Sequence, residues 1–183
     1  NIGTSLMQQA HDALYYEGVI FATLIPAESW LYDWYASCGY VQDITCTPPP
    51  DGIRTMTFDE FNSWQRSRKC ILLHDQANYH IIQEDLRRMG DAPLQQHSIP
   101  AMIRVINARK ALGVYARLHP TAKMNFRIYN DRHVRMNNQY IQVENGKAQS
   151  TDHPLADARV MTINELAAFI FAEESPEMNL MLN

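Results

Sequence analysis

The sequence has little positive charge. Its 16 lysines and arginines face 20 aspartates and glutamates, giving a net charge of −4 and a pI near 6.0. Its longest basic block is the four-residue RSRK at 66–69. Nucleic acid is held through many phosphate contacts, so this balance argues against a nucleic-acid partner. No apolar run is long enough to span a bilayer and no signal-peptide pattern is visible, so no membrane partner is expected either. Cysteine is scarce. Cys38, Cys46 and Cys70 are odd in number and match no metal-ligand spacing, which fits reduced thiols and a cytoplasmic setting. His74 and His80 stand six apart, a spacing that does not bring both to one helical face, so no metal is expected. Internal repeats and low-complexity tracts are also lacking. The first residue is Asn1 rather than methionine, and the expectation is a fragment or a processed or tagged product.

What is present is enough material for a core. Of 183 residues, 46% are hydrophobic and 20% charged, which suits one ordinary domain, or one domain with part of another. NIGTSLMQQAHDALYYEG places Leu6, Ala10 and Leu14 at helical spacing and offers Gly18 as a stop. VIFATLI (19–25) is β-branched and apolar without polar alternation, which predicts a strand buried on both faces. After Pro26, AESWLYDWYASC predicts a helix closed by Gly39, and YVQDIT (40–45) alternates as a strand does.

CTPPPDG (46–52) is the strongest breaker in the chain. It is taken as the boundary between a first part, 1–47, and a second, 53–183. The second part opens with two predicted helices, TFDEFNSWQRSRKCILLHD and QANYHIIQEDLRRMG, the first with a capping box formed by Thr57 and Glu60. AMIRVIN (101–107) predicts a strand and ARKALGVYARLH (108–119) a helix. Residues 123–162 predict further strands, with turns at Asn130–Asp131 and at Asn145–Gly146, the latter a hairpin signal. INELAAFIFAEE predicts a closing helix capped by Thr162. The fold class expected is α+β, with a mostly antiparallel sheet in the second part.

Several residues stand out chemically. Arg104 lies within the apolar AMIRVIN, and a buried cation needs a partner. A structural ion pair is the favoured reading, with contact to a substrate or to the terminal carboxylate as the sharper one. Asp75, Glu84 and Asp85 read as caps and solvated faces. Gly3, Thr4 and Ser5 stand at a helix start, where unpaired N–H groups and the helix dipole suit a phosphate; a good cap is the plainer explanation. Tyr32 and Tyr35 lie on roughly one helical face, and burial of both rings with hydrogen bonds to backbone is the plainer fate of each.

NIGTSLMQQAHDALYYEGVIFATLIPAESWLYDWYASCGY resembles the second half of a GNAT-type acetyltransferase domain. Gly3 falls on the last position of the family's glycine-rich pyrophosphate loop, and YASCGY supplies Tyr35, Gly39 and Tyr40 for its Tyr-x-x-x-Gly-aromatic motif. The LIPAESWLYDWYASCGY version is most similar to acetyltransferases of the enhanced-intracellular-survival type, which append a domain like sterol carrier proteins. IPAMIRVINARKAL, NNQYIQVENGKA and MTINELAAFIF resemble that appendage, so the resemblance covers nearly the whole chain. It implies an acetyl-CoA-dependent N-acyltransferase acting on an amine. Acetyl-CoA would be the cosubstrate, cradled in part by Gly3, Thr4 and Ser5. Tyr35 would be the general acid, with Tyr32 still open as an alternative, and the α-carboxylate of Asn183 a base.

The chain also departs from the family. Asn1 stands where glycine is usual, Glu28 stands where many members carry asparagine, and the arginine or glutamine and the strand before the loop have no counterpart. The expectation is that this fragment alone is inactive and binds acetyl-CoA poorly, and that the strand at 19–25 pairs between copies to form a homo-oligomer. The competing expectation is a non-catalytic module that holds an apolar ligand or builds an oligomer. In it Met102, Tyr115, Met124, Phe126, Tyr140, Met161, Phe169 and Phe171 would line a tunnel instead of a core.

Overall fold

The computed structural model describes residues 2–172 and 176–179. The chain is α+β. By compactness it forms two units, Asn1–Gln42 with Met102–Glu173, and Asp43–Ala101 with Glu174–Asn183. The divisions after Gln42 and after Ala101 fall inside strands, not at the proline run, so the first 42 residues share a unit with 102–173.

The first unit opens with α1 (Ile2–Tyr16). Its inward face carries Met7 and His11, not Leu6 and Ala10. Leu6 is 60% exposed, while His11 is buried at 1%. Apolar spacing misplaced this face because the helix turns a polar residue inward, where it finds hydrogen-bond partners. β1 (Phe21–Leu24) pairs antiparallel with β3 (Ile99–Val105), Phe21 opposite Val105 and Leu24 opposite Met102. It is half-buried along its length instead of buried on both faces. Between these strands in sequence come α2 (Ser29–Ser37) and β2 (Val41–Thr47).

α5 (Ala108–Leu118), capped by the Asn107 side chain on the Lys110 N–H, follows β3. A second sheet then forms from β4 (Met124–Ile128), β5 (Tyr140–Glu144), β6 (Lys147–Thr151) and β7 (Arg159–Met161), in the order β6-β5-β4-β7. Two of its pairings are antiparallel, but β7 runs parallel to β4, so the sheet is mixed. The parallel strand is reached by the long connection after β6, which a hairpin does not allow. The β5–β6 hairpin turns through Asn145 and Gly146, both at positive φ, as the Asn-Gly pair predicts. α6 (Ile163–Phe171) begins with a complete capping box between Thr162 and Glu165.

The core of this unit joins α5, α6 and the sheet through Leu112, Ala116, Phe126, Ile141, Val143 and Leu166. Met124, Met161 and Phe169 pack against it, and Tyr115 contacts Phe169 at 5.1 Å between ring centroids. These side chains, offered above as tunnel lining, are core.

The second unit packs α3 (Phe58–Arg66) and α4 (Gln76–Met89) around Ile53, Phe61, Tyr79, Ile82 and Leu86. The Thr57–Glu60 capping box is present and Asp75 caps α4, while Glu84 and Asp85 pair with Arg88. α3 stops at Arg66, short of the predicted run to Asp75. The buried Gln65 side chain takes both backbone groups of His74, donating to its carbonyl and accepting from its N–H at 2.9 Å each. That reverse contact requires a loop where helix was expected. In the same unit β8 (Glu177–Asn179) pairs parallel with residues 45–47 of β2, and Arg68 holds Glu177 at 2.6 Å.

Candidate active site

The chemistry-bearing side chains of the first unit converge where α2 ends. Gly39, at φ +96°, closes the helix, and its N–H returns to the Ala36 carbonyl. A Cβ there would stand 1.6 Å from Nη1 of Arg104, so only glycine allows both the turn and the arginine. Arg104, the outlier of the third strand, is 1% exposed. It donates through Nη1 to the Cys38 carbonyl at 2.6 Å and through Nη2 to both oxygens of Asp131 at 2.8 and 2.9 Å. Asp131 also accepts from the backbone N–H groups of His133 and Val134 and from the Asn137 amide. The ion-pair reading of Arg104 is therefore the observed one. Breaking such a pair costs about 3–5 kcal/mol, because the survivor stays charged and buried. Nε of Arg104 is buried without a hydrogen bond among the described residues.

Beside this pair runs a second buried chain. Tyr40, 4% exposed, lies with its hydroxyl 3.0 Å from Nε2 of His11, whose Nδ1 lies 3.1 Å from Nδ1 of His133. Burial, reinforced by the Arg104 charge and by His133, lowers the pKa of His11 to about 3. Burial likewise lowers that of His133, and it pushes Tyr40 up to about 12. All three are therefore neutral at pH 7. The Tyr40 hydroxyl has no other hydrogen-bond partner among the described residues. Its proton is used if it donates to Nε2 of His11, which then carries its own proton on Nδ1 and donates to Nδ1 of His133. The chain holds protons and orients rings; it is not a charged catalytic dyad.

Tyr35 sits at the outer edge of this assembly. It is half-buried, edge-on to Trp34 at 4.8 Å and to Tyr40 at 5.6 Å between centroids. Its hydroxyl makes no hydrogen bond among the described residues. With Trp34, Tyr32 and Met7 it packs against the buried cluster of Cys38, Tyr40 and Met102. Met7 belongs to α1, one turn beyond Gly3, Thr4 and Ser5. These three lie in the first turn of that helix, Thr4 and Ser5 exposed and no acidic side chain among them. One helix thus carries the suspected phosphate-binding turn at its start, a contact to the Tyr35 cluster at Met7 and the buried His11.

The Asn183 carboxylate lies outside the described residues. Sequence reasoning missed His11, His133 and Asp131. Their only signals were a histidine on the 7/11 face of α1, and the Asn130–Asp131 turn read solely as a turn. No group of three His, Cys, Asp or Glu is placed to hold a metal among the described residues, and no helix there is long and apolar enough to cross a membrane.

The chain matches no family model and no curated protein. It is similar to solved structures. A GCN5-related N-acetyltransferase from Anabaena variabilis superposes with a TM-score of 0.62 at 16% identity, over 96% of this chain and 76% of that one. A GCN5-related N-acetyltransferase from Kribbella flavida gives 0.55 at 12% identity, over 99% and 76%. Eis1 from Mycobacterium abscessus gives 0.52 at 12% identity, over 91% and 67%. At these identities the likeness is one of fold.

Proposed function

We propose that the chain belongs to an acetyl-CoA-dependent N-acetyltransferase in which Tyr35 is the general acid. The observation that carries this reading is the state of Tyr35: a half-buried phenol with no hydrogen bond among the described residues, braced by Trp34 and Tyr40, on a fold shared with N-acetyltransferases. Acetyl-CoA supplies the activated acyl group. The first turn of α1, with Gly3, Thr4 and Ser5, receives its phosphates on backbone N–H groups. Tyr35 holds a proton at Oη and gives it to the departing thiolate. Phenols as a class are weaker acids than thiols, so a phenol keeps its proton until the thiolate forms. Tyr40 is unsuited to this role, because its hydroxyl is buried and engaged with His11. The Asn183 carboxylate is the proposed acceptor of the amine proton, and the sterol-carrier-like reading of 53–183 belongs to the same proposal. The apolar-ligand alternative is disfavoured by the packing of Met124, Phe126, Met161 and Phe169, four of its eight supposed tunnel residues, into a core.

Release of thiol from acetyl-CoA in the presence of a panel of primary amines, by a form of the protein extended upstream of Gly3, tests the assignment. Tyr35→Phe should lower kcat about 100-fold or more with little change in acetyl-CoA affinity, while Tyr32→Phe stays near wild type. Loss confined to Tyr32→Phe would move the role to that residue.

A further inference from the structure

A groove of about 570 Å³ opens in the first unit between α5 and the β5–β6 hairpin, a volume in the range of small-molecule sites. Four cations line it: Arg109, Lys110 and Arg117 from α5, and Lys147 from β6. None of them forms an ion pair among the described residues, although the chain as a whole carries a net charge of −4. Lys110 donates to the Gly18 carbonyl at 3.0 Å, at the C-terminal end of α1.

Two choices on α5 weaken the helix and face this groove. Arg109 and Lys110 occupy its first turn, which has no acidic residue, at the end where the dipole favours anions. Gly113 stands in the helix interior, where alanine would be more stable. Yet beyond its chain neighbours and its own helix backbone no described atom lies within 4 Å of the position its Cβ would take, so packing does not demand glycine. A side chain at 113 would instead project into the groove. Departures from local stability that point at one cavity are the mark of a binding surface. Arg109 and Arg117 lie two helical turns apart, about 12 Å along the axis. Both side chains are long enough to reach into the groove between them, and four cations with no acidic lining residue suit a ligand of concentrated negative charge, such as two linked phosphates. Guanidinium groups recognise phosphate oxygens in pairs.

From this arrangement we infer that the groove binds a small molecule carrying a diphosphate, with Arg109 and Arg117 as its specific contacts, Lys110 and Lys147 as supporting charges and Gly113 as the open floor. The site is separate from the acetyl-CoA cradle proposed above. Gly3–Ser5 begin α1, whereas the groove is lined by Ile20 just beyond its end, a helix length of about 22 Å away.

Calorimetric titration of ADP and of inorganic pyrophosphate into the chain tests this at fixed salt. Saturable binding of either that the α5 variants weaken supports the site; ADP alone marks a nucleotide and pyrophosphate alone a free diphosphate. Arg109→Glu and Arg117→Glu should each weaken binding about tenfold or more, and Gly113→Leu should block it with unchanged circular dichroism. Arg66→Glu, an exposed charge change in the other unit, should leave it intact. Ser5→Asp, which tests the acetyl-CoA cradle, should leave it intact as well. Absence of saturable binding would overturn the inference. So would binding that survives the α5 variants, or binding lost in Ser5→Asp but kept in Arg109→Glu.

Discussion

Acidification should unfold the first unit through His11. Its imidazole titrates near 6.5 when unfolded and at about 3 in the fold, because burial and the Arg104 charge oppose protonation more than Asp131 favours it. Above pH 6.5 His11 is neutral in both states and adds no pH dependence. Below 6.5 the unfolded chain gains a proton that the folded chain refuses, so stability falls as pH drops and keeps falling until about pH 3. Each unit of separation is worth about 1.4 kcal/mol. At pH 5, about 1.5 units below the unfolded value, His11 alone removes roughly 2 kcal/mol relative to pH 7. His133, also lowered by burial, adds a loss of the same sign. Urea unfolding followed by near-UV circular dichroism, at pH 7 and pH 5, measures the change. The comparison with His11→Gln isolates it, since glutamine does not titrate and keeps a polar group near Tyr40. The wild type should lose roughly 2 kcal/mol more than the variant over this interval. Equal losses in both proteins, or a His11 imidazole resonance that titrates near pH 6.5, would refute the reasoning.

Other outcomes follow from the same site. Asp131→Asn should destabilise the unit by about 3–5 kcal/mol, by leaving Arg104 charged and buried; in a double-mutant cycle with Arg104→Met, the two losses should not add. Gly39→Ala should cost roughly 3 kcal/mol or more in thermal or urea unfolding. It forces alanine to φ +96° and drives its methyl into Arg104. The acetyl-transfer activity of Gly39→Ala should fall with its folded fraction, whereas that of Tyr35→Phe should fall while the fold is retained.

Much of the architecture was written locally. Thr57 with Glu60, Thr162 with Glu165, and Asn145 with Gly146 each state their element within a few residues, and each forms as read. Arg104 announced its need for a partner by standing in an apolar strand. Asp131 could not be named as that partner, because the pairing spans 27 positions in sequence and is set by how β3 meets the turn after β4. The inward face of α1 was misread for a related reason. Apolar counting selects Leu6, Ala10 and Leu14, but the helix buries His11 because Tyr40 and His133 satisfy both ring nitrogens. The parallel placement of β7 against β4 depends equally on tertiary arrangement, since no short motif specifies it. Tyr35 and the first turn of α1 were visible through the resemblance to acetyltransferases. What the fold adds is that the helix starting with that turn also packs, through Met7, on the cluster that holds Tyr35.

Calorimetric titration of acetyl-CoA tests the central claim most directly. It is done on this chain and on a form extended upstream by the strand and loop that the resemblance to acetyltransferases implies before Gly3. The account predicts saturable binding by the extended form, weaker binding by the chain alone, and retention of binding with loss of turnover in Tyr35→Phe. Absence of binding in both forms would contradict it.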